Sequence, residues 1–162
     1  FTSNSASNAG GIFNPIVVVI QPITGVTLVR RGTVTVSHSN FTDNSASNDG
    51  GGLENDGTAT VRDCTFTANS ARNGGGIFNA ATVARAQVFP GMLTVSGATF
   101  TGNTAGLHGG GLDNAGTATV TESIFAGNSA GSGNGGLNND PGGLLTQFDN
   151  QFLNDLPPDL FP

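Results

Sequence analysis

The chain has 162 residues, the length of one ordinary domain, with 5 basic and 11 acidic side chains and a net charge of −6. This balance excludes a basic nucleic-acid surface and argues against adsorption to anionic membranes. The 26 glycines and a charged fraction of only 10% exclude a helical bundle, whereas 36% hydrophobic residues are enough for a core if they are regularly spaced. No apolar run approaches the roughly 18 residues of a transmembrane helix.

A phrase that begins with phenylalanine opens the chain and returns four times. Its five starts are Phe1, Phe41, Phe66, Phe100 and Phe125. The spacings of 40, 25, 34 and 25 residues define a basic unit of 25 residues, with extra residues in the first and third units. Because the chain opens directly on the first residue of a repeat unit, we expect a processed or partial chain.

Each unit contains short runs in which apolar and polar residues alternate. The runs TATV at 58–61 and 117–120 show this period of two, which is typical of strands. Glycine and asparagine clusters break the runs every few residues. The pattern predicts an all-β, right-handed parallel β-helix of about five coils, each with about three short strands; the handedness follows the general rule for parallel crossovers.

Stacked coils would turn aligned residues into ladders. We expect the five phenylalanines to stack inside the solenoid. A second aligned set, Asn4, Asn44, Asn69, Asn103 and Asn128, would form hydrogen bonds along the axis. The lone cysteine, Cys64, falls at a small-residue position and is interpreted as an inert packed thiol, which allows no internal disulfide.

The predicted domain organisation is a β-helix over 1–139 followed by a short C-terminal cap or tail over 140–162. Loop insertions occupy 15–31 and 80–92, both between the glycine phrase and the TxTV phrase. Thr24-Gly25 lies between two apolar runs and predicts a projecting hairpin. After the repeat fades, apolar residues recur every three or four positions, which predicts an amphipathic helix over 144–156: Leu145, Phe148, Phe152 and Leu156.

The recurring FxxN and GG(A/I/L) motifs over 1–139 resemble the repeats of chlamydial polymorphic outer-membrane proteins and other bacterial right-handed β-helix repeat proteins. The resemblance implies a parallel β-helix. It also implies a secreted or cell-surface location and a non-enzymatic role in adhesion or surface structure.

Two groups of residues and one single histidine are candidates for a chemical site. His38, Asp63 and Glu122 share one aligned position and are the best carboxylate group for polysaccharide cleavage, but Gly97 interrupts the set. Asp49, Glu54, Asn55 and Asp56 flank a triple glycine, superficially like a calcium repeat, but the acidic residues do not recur from coil to coil. His108 lies in a glycine corner without visible ligand partners. We therefore predict no catalytic residue, metal or cofactor.

The favoured function is an extracellular scaffold, adhesin-like passenger or assembly subunit that binds other protein. Polysaccharide binding or cleavage is the alternative. Ice binding is a third possibility, because the TxT phrases would form outward threonine files, although Met92 breaks one file.

Both insertions would project from one corner, which we predict to be the main interaction surface. Its apolar runs are too hydrophobic to stand alone in water, and arginines lie beside them. The predicted contact residues are Ile16, Val17, Val18, Val19, Ile20, Val26, Leu28, Arg30, Arg31, Arg85, Val88 and Phe89. A protein partner or self-assembly is expected, a glycan is possible, and nucleic acid and a membrane-spanning segment are not expected.

Overall fold

Four parallel sheets run along the axis of a solenoid in the computed structural model, which describes residues 1–20 and 27–157. Each full coil contributes one short strand to each sheet, so the coil has four strands where the sequence predicted about three. Strands of successive coils pair in parallel and in register, for example Phe66 with Phe41 and Phe100. The predicted parallel β-helix is therefore confirmed. Its right-handed sense stays a prediction.

The sheets are named by their residues. The phenylalanine sheet contains β6 (Asn40–Thr42), β10 (Thr65–Thr67), β16 (Thr99–Thr101), β20 (Ile124–Ala126) and β24 (Gln151–Leu153). The small-residue sheet contains β1 (Ser5–Ala6), β7 (Ser45–Ala46), β11 (Ser70–Ala71), β17 (Thr104–Ala105) and β21 (Ser129–Ala130). The glycine-corner sheet contains β2 (Ile12–Asn14), β8 (Leu53–Asn55), β12 (Ile77–Asn79), β18 (Leu112–Asn114) and β22 (Leu137–Asn139). The threonine sheet contains β5 (Thr33–Ser37), β9 (Thr58–Arg62), β15 (Met92–Ser96), β19 (Thr117–Thr121) and β23 (Leu144–Phe148).

Two antiparallel hairpins leave the solenoid between the glycine-corner sheet and the threonine sheet. The first pairs β3 (Ile16–Ile20) with β4 (Thr27–Arg31), and the second pairs β13 (Ala81–Ala84) with β14 (Gln87–Pro90). The described residues contain no helix long and apolar enough to span a membrane.

The core is a set of aligned inward side chains. In β9, Ala59 and Val61 are buried while Thr58 and Thr60 are partly exposed, as the period of two requires. Cys64 is also buried and its Sγ donates to the Arg62 carbonyl, in keeping with an inert packed thiol. The largest fully buried apolar side chains are Phe41, Phe66, Phe100, Phe125, Leu53, Ile77, Leu112, Leu137, Val61, Val95 and Val120.

Six phenylalanine rings form one continuous stack. Successive centroids from Phe1 to Phe125 are 4.6–4.9 Å apart and the planes are within 9° of parallel. The sixth ring is Phe152, 5.1 Å from Phe125. The spacing equals the rise between paired strands, so the backbone pairing itself sets the ring contact.

Asparagine side chains run beside the rings and bind three coils at once. The Asn69 amide nitrogen donates to Asn103 Oδ1 in the next coil at 2.9 Å and to the Phe41 carbonyl in the preceding coil at 3.0 Å. The Asn69 Oδ1 accepts the backbone and side-chain N–H groups of Asn44. The predicted ladder is thus confirmed, and Asp155 takes the final position by accepting from Asn128 at 2.9 Å.

A second asparagine ladder follows the end of the glycine-corner sheet. Each amide nitrogen donates to the next Oδ1 at 2.7 Å, along Asn14, Asn55, Asn79, Asn114 and Asn139. These asparagines close every glycine phrase, but their role as a ladder was not recognised from the sequence.

The amphipathic helix predicted over 144–156 is wrong. Residues 144–148 and 151–153 are strands that extend the threonine and phenylalanine sheets. Phe152 and Asp155 repeat the FxxN spacing with aspartate in place of asparagine, so the segment has the same partners as an earlier coil. The three- and four-residue apolar spacing arose from two short strands on either side of a turn.

Truncation of a central ring tests the phenylalanine stack. We expect Phe66→Ala to lower the free energy of unfolding by roughly 3–5 kcal/mol, because it leaves a cavity between two buried rings. Phe13→Ala is the matched control, since Phe13 is exposed and lies outside the stack, and it should cost less than about 1 kcal/mol. Chemical denaturation measures both. Equal losses would contradict an aromatic core.

Truncation of a central amide tests the first asparagine ladder. We expect Asn69→Ala to cost roughly 3 kcal/mol or more, because it leaves buried donors and acceptors in two coils unpaired. Asn48 pairs only with Asn8 at the surface, so Asn48→Ala should cost less than about 1 kcal/mol. Thermal melts of the two variants provide the comparison. An Asn69 variant as stable as the parent would show that the ladder does not stabilise the fold.

Candidate functional site

The three residues considered for polysaccharide cleavage lie at the same turn position, just after the strands of the threonine sheet. His38, Asp63 and Glu122 have φ values of +48°, +51° and +52°, and Gly97 has +62° at the same position. His38 Nε2 lies 3.6 Å from Asp63 Oδ2, and these two side chains are 77% and 51% exposed. Aspartate and glycine are suited to this left-handed backbone conformation, as at Asp63 and Gly97. The position is therefore that of a solvated turn.

The glycine corner holds a second polar group, which is buried. The middle residue of each strand in the glycine-corner sheet points outward, yet Glu54 is only 5% exposed and Asp113 is fully buried. The loop before each strand covers these side chains. At Gly50, φ is +65° and an added Cβ would lie 2.8 Å from Glu54 Cβ, so only glycine lets the loop lie so close.

Glu54 is a carboxyl group in apolar surroundings. Its register neighbours are Phe13 and Phe78, and its Oε2 has no hydrogen-bond partner. Burial, with smaller contributions from the nearby carboxylates of Asp56 and Asp49, raises the pKa of Glu54 to about 8. Glu54 is therefore mainly protonated at neutral pH, which is unfavourable for the calcium interpretation.

The other members of the calcium set also have partners or shifted pKa values, and Asp49 accepts from Asn73 Nδ2 at 2.8 Å. Asn55 lies in the second asparagine ladder, where its amide nitrogen donates to Asn79. Burial also raises the pKa of Asp56, with a further contribution from Asp49. Of the cluster seen in the sequence, Asn55 therefore belongs to a ladder and Glu54 is a buried acid.

His108 does have ligand partners, so the prediction that it stands alone is wrong. Across the described ranges 1–20 and 27–157, one group of at least three histidine, cysteine or acidic side chains has ligand atoms within 4.8 Å of one another: His108, Asp113 and Asp140. Asp113 lies five residues after His108, while Asp140 comes from the next coil. Burial raises the pKa of Asp113 to about 7; the Asn138 hydrogen bond opposes this shift and the Asp140 charge adds to it. Sequence spacing missed the group because stacking joins distant residues.

The first hairpin has one exposed and one half-buried face. Val17 and Val19 are 50% and 46% exposed, and Arg30 is exposed with them. Ile16 and Arg31, which are register partners, are half-buried. The predicted contact residue Val26 and the predicted turn at Thr24-Gly25 lie outside the described residues. Ile20 and Leu28 belong to the paired strands β3 and β4.

The two hairpins touch at their bases. Arg31 Nη1, at the end of the first hairpin, donates to the carbonyl of Pro90, at the end of the second. Val83 and Val88 are register partners and are 66% and 61% exposed, while Phe89 is half-buried. Arg85 is exposed in the tight turn. We call these residues, 15–20, 27–31 and 80–92, the hairpin corner.

The outer face of the threonine sheet carries the files weighed for ice binding. One file is unbroken, through Thr35, Thr60, Thr94, Thr119 and Thr146. In the neighbouring file, Met92 and Leu144 replace threonine. Only a single regular file therefore exists along this sheet.

Exposed apolar side chains also lie on the last strands, and of these the sequence had singled out only Phe148, as part of the predicted helix. Leu144, Phe148 and Leu153 are all exposed. An open depression beside them is lined by Gln147, Phe148, Asp149, Asn150 and Phe152. The helical interpretation of 144–156 hid this surface, because it placed the same side chains against the solenoid.

Together, the four parallel sheets and the two amide ladders define a parallel β-helix protein built from repeats. Residues 63–80, within the third coil, match the Chlamydia polymorphic membrane protein (Chlamydia_PMP) repeat. This segment includes Phe66, Asn69 and Asn79, the residues of the stack and of both ladders. The resemblance seen in the FxxN and glycine motifs is confirmed there. No curated protein and no solved structure matches the chain significantly.

The covered Glu54 carboxyl makes stability depend on pH. Its folded pKa of about 8 lies above the ordinary 4.5, so the folded chain keeps a proton that the unfolded chain releases between these values. The stabilisation is fully present below about pH 4.5 and is lost as pH rises toward about 8. We expect Glu54→Gln to abolish most of this loss, raising the melting temperature at about pH 8 by a few degrees while changing little at about pH 5.

Glu122→Gln is the control for that measurement, because Glu122 is an exposed glutamate at a turn. Its melting temperature should follow the parent at each pH. A Glu54→Gln variant that also follows the parent would show that the carboxyl is solvated in the folded chain.

Proposed function

We propose that the chain is a non-enzymatic structural and interaction domain of the cell surface or extracellular space, which binds another protein through the hairpin corner. The observation that carries the proposal is the pair of hairpins with exposed valines that leave the solenoid at one corner. The match to a membrane protein repeat supports a surface location. An adhesin-like passenger and a subunit of a larger assembly both fit this role.

The side chains at the hairpin corner favour protein as the ligand. Val17, Val19, Val83 and Val88 offer aliphatic contact area, and Arg30 and Arg85 are exposed near them. Apolar contacts at the centre with arginine at the edge are typical of protein interfaces. The exposed apolar residues of the last strands, Leu144, Phe148 and Leu153, have no arginine among them and fit this pattern less well.

The hairpins are also held firmly enough to present a defined surface. The Arg31 contact to Pro90 joins them, and the Gly32 N–H donates to the Pro15 carbonyl at 2.8 Å at the base of the first hairpin. A pre-organised surface loses less conformational entropy on binding.

Polysaccharide cleavage is the less favoured function, because it requires carboxylates grouped on one outer face. Asp63 and Glu122 are separated by the coil that carries Gly97, and His38 contacts Asp63 alone. A glycan array and a reducing-sugar assay on the purified chain test binding and cleavage directly.

Site-specific photo-crosslinking in the cells that produce the protein tests the proposal. A photo-reactive amino acid at position 19 or 88 should give an adduct that protease removes and glycosidase does not. The same amino acid at Thr35 or Thr94, exposed positions on the threonine sheet, should give none. Adducts of equal yield from the control positions, or glycan adducts only, would refute a protein-binding hairpin corner.

Charge insertion at the same surface should weaken the interaction without unfolding the coils. We expect Val17→Asp with Val19→Asp to reduce adduct formation from position 88 by about tenfold or more, since buried aspartate would be desolvated at the contact. Thr35→Asp with Thr94→Asp carries the same charge change and should leave the adduct intact. Unchanged crosslinking in the hairpin variant would contradict the proposal.

A further inference from the structure

His108, Asp113 and Asp140 come from two neighbouring coils and meet at the glycine corner. His108 precedes β18, Asp113 is the middle residue of that strand, and Asp140 follows β22 directly. His108 Nδ1 lies 3.4 Å from Asp140 Oδ1, and the ligand atoms of all three residues lie within 4.8 Å of one another.

Asp113 has an oxygen that nothing in the described chain satisfies. The residue is fully buried, its Oδ1 accepts from Asn138 Nδ2 at 2.8 Å, and its Oδ2 has no hydrogen-bond partner. An ionised carboxylate would need a donor at this oxygen, and a protonated one would need an acceptor for its O–H. Buried polar atoms in native proteins are almost always satisfied, so this oxygen is open to a ligand. It differs from the unpartnered Oε2 of Glu54 because His108 and Asp140 offer further ligand atoms beside it.

Asn138 holds both carboxylates in place. Its Nδ2 donates to Asp113 Oδ1 at 2.8 Å and to Asp140 Oδ1 at 2.9 Å, and its own Oδ1 accepts the Asn134 N–H at 3.3 Å. One amide therefore orients two acidic side chains and leaves Asp113 Oδ2 free to bind. Hydrogen bonds of this kind commonly fix the ligands of metal ions.

We propose that His108, Asp113 and Asp140 form a binding site for a divalent first-row transition metal ion, of which zinc is the first to test. One imidazole nitrogen and two carboxylate oxygens are a ligand set that suits zinc. Calcium prefers six to eight oxygen ligands, and magnesium keeps most of its water, so neither matches a site with one nitrogen and two acids.

The observed spacing is compatible with this ion. Ligand atoms about 2.0–2.2 Å from a tetrahedral zinc lie about 3.4 Å from one another, the separation seen between His108 and Asp140. Closing the group from its outer spacing of 4.8 Å requires only side-chain adjustment of His108 and Asp140, which are 39% and 26% exposed.

Gly133 forms the wall of the site. A Cβ at this position would lie 3.1 Å from His108 Cδ2 and 2.8 Å from Asn138 Oδ1, and φ is +69°. A side chain there would displace the imidazole and the amide that orients the acids. A bound ion would thus join the His108 loop, β18 and the turn after β22, and so stabilise the fifth coil against the fourth.

Zinc titration of the purified full chain tests the site. Isothermal titration calorimetry should show one zinc per chain, and the melting temperature should rise by roughly 5–10 °C at zinc about 100-fold above Kd. Calcium and magnesium at the same concentrations should give no saturable binding. Cobalt(II), which replaces zinc, should give the visible absorption of a tetrahedral nitrogen and oxygen site.

Two variants and one matched control decide the outcome. His108→Ala and Asp113→Asn should each weaken zinc binding by about tenfold or more. His38→Ala removes the other histidine, which has one acidic partner, and should bind zinc like the parent. His108 is partly exposed, so its variant keeps the test valid even if Asp113→Asn folds poorly. Absence of saturable zinc binding by the parent, or equal binding by the parent and His108→Ala, would overturn the proposal.

Discussion

Parallel pairing between successive coils is the interaction on which the rest of this structure depends. Each backbone segment hydrogen-bonds to the same segment one coil away, so identical side chains are brought to the strand spacing of about 4.8 Å. Phenylalanine can stack at this distance, and an asparagine amide can donate to the next amide along the axis. Both ladders are therefore consequences of register, and they in turn fix it, because a slip of one residue would break every contact in the ladder.

The asparagine ladders also solve a problem of polar burial. A solenoid with short strands has many turns, and each turn leaves backbone groups that strands cannot pair. The Asn103 amide, for example, donates to the carbonyl of Phe66 as well as to Asn128. The ladder thus satisfies the turn backbone of one coil with a side chain from another. Because the ladder satisfies these backbone groups, the fold can include the small-residue sheet and the glycine loops without needing a large apolar core.

The solenoid could be predicted from the sequence, but the structure of its last coil and the burial of its acidic side chains could not. Repetition revealed the fold, because the 25-residue unit combines alternating TATV runs, typical of strands, with glycine and asparagine clusters that break them. The last coil was missed because Asp155 replaces asparagine and the unit is longer, so Phe152 was assigned to a helix. The acidic group with His108 was missed because the partner Asp140 is distant in sequence and the covering loop is visible only in three dimensions. The strands of the first hairpin were foreseen from their apolar runs, whereas 80–92 was expected only as a projecting loop and is a second hairpin. The contact between the hairpins through Arg31 depends on the stacking of coils.

The repeat also determines how such a molecule can change over evolution. Every internal coil presents nearly the same upper and lower surfaces, so a unit of 25 residues can be gained or lost without altering the contacts of its neighbours. Such an event would move the two hairpins apart, or bring a new corner beside them, by one fixed step along the axis. The solenoid therefore acts as a ruler, in which gene duplication changes the separation between projecting elements while their attachment to the frame stays the same.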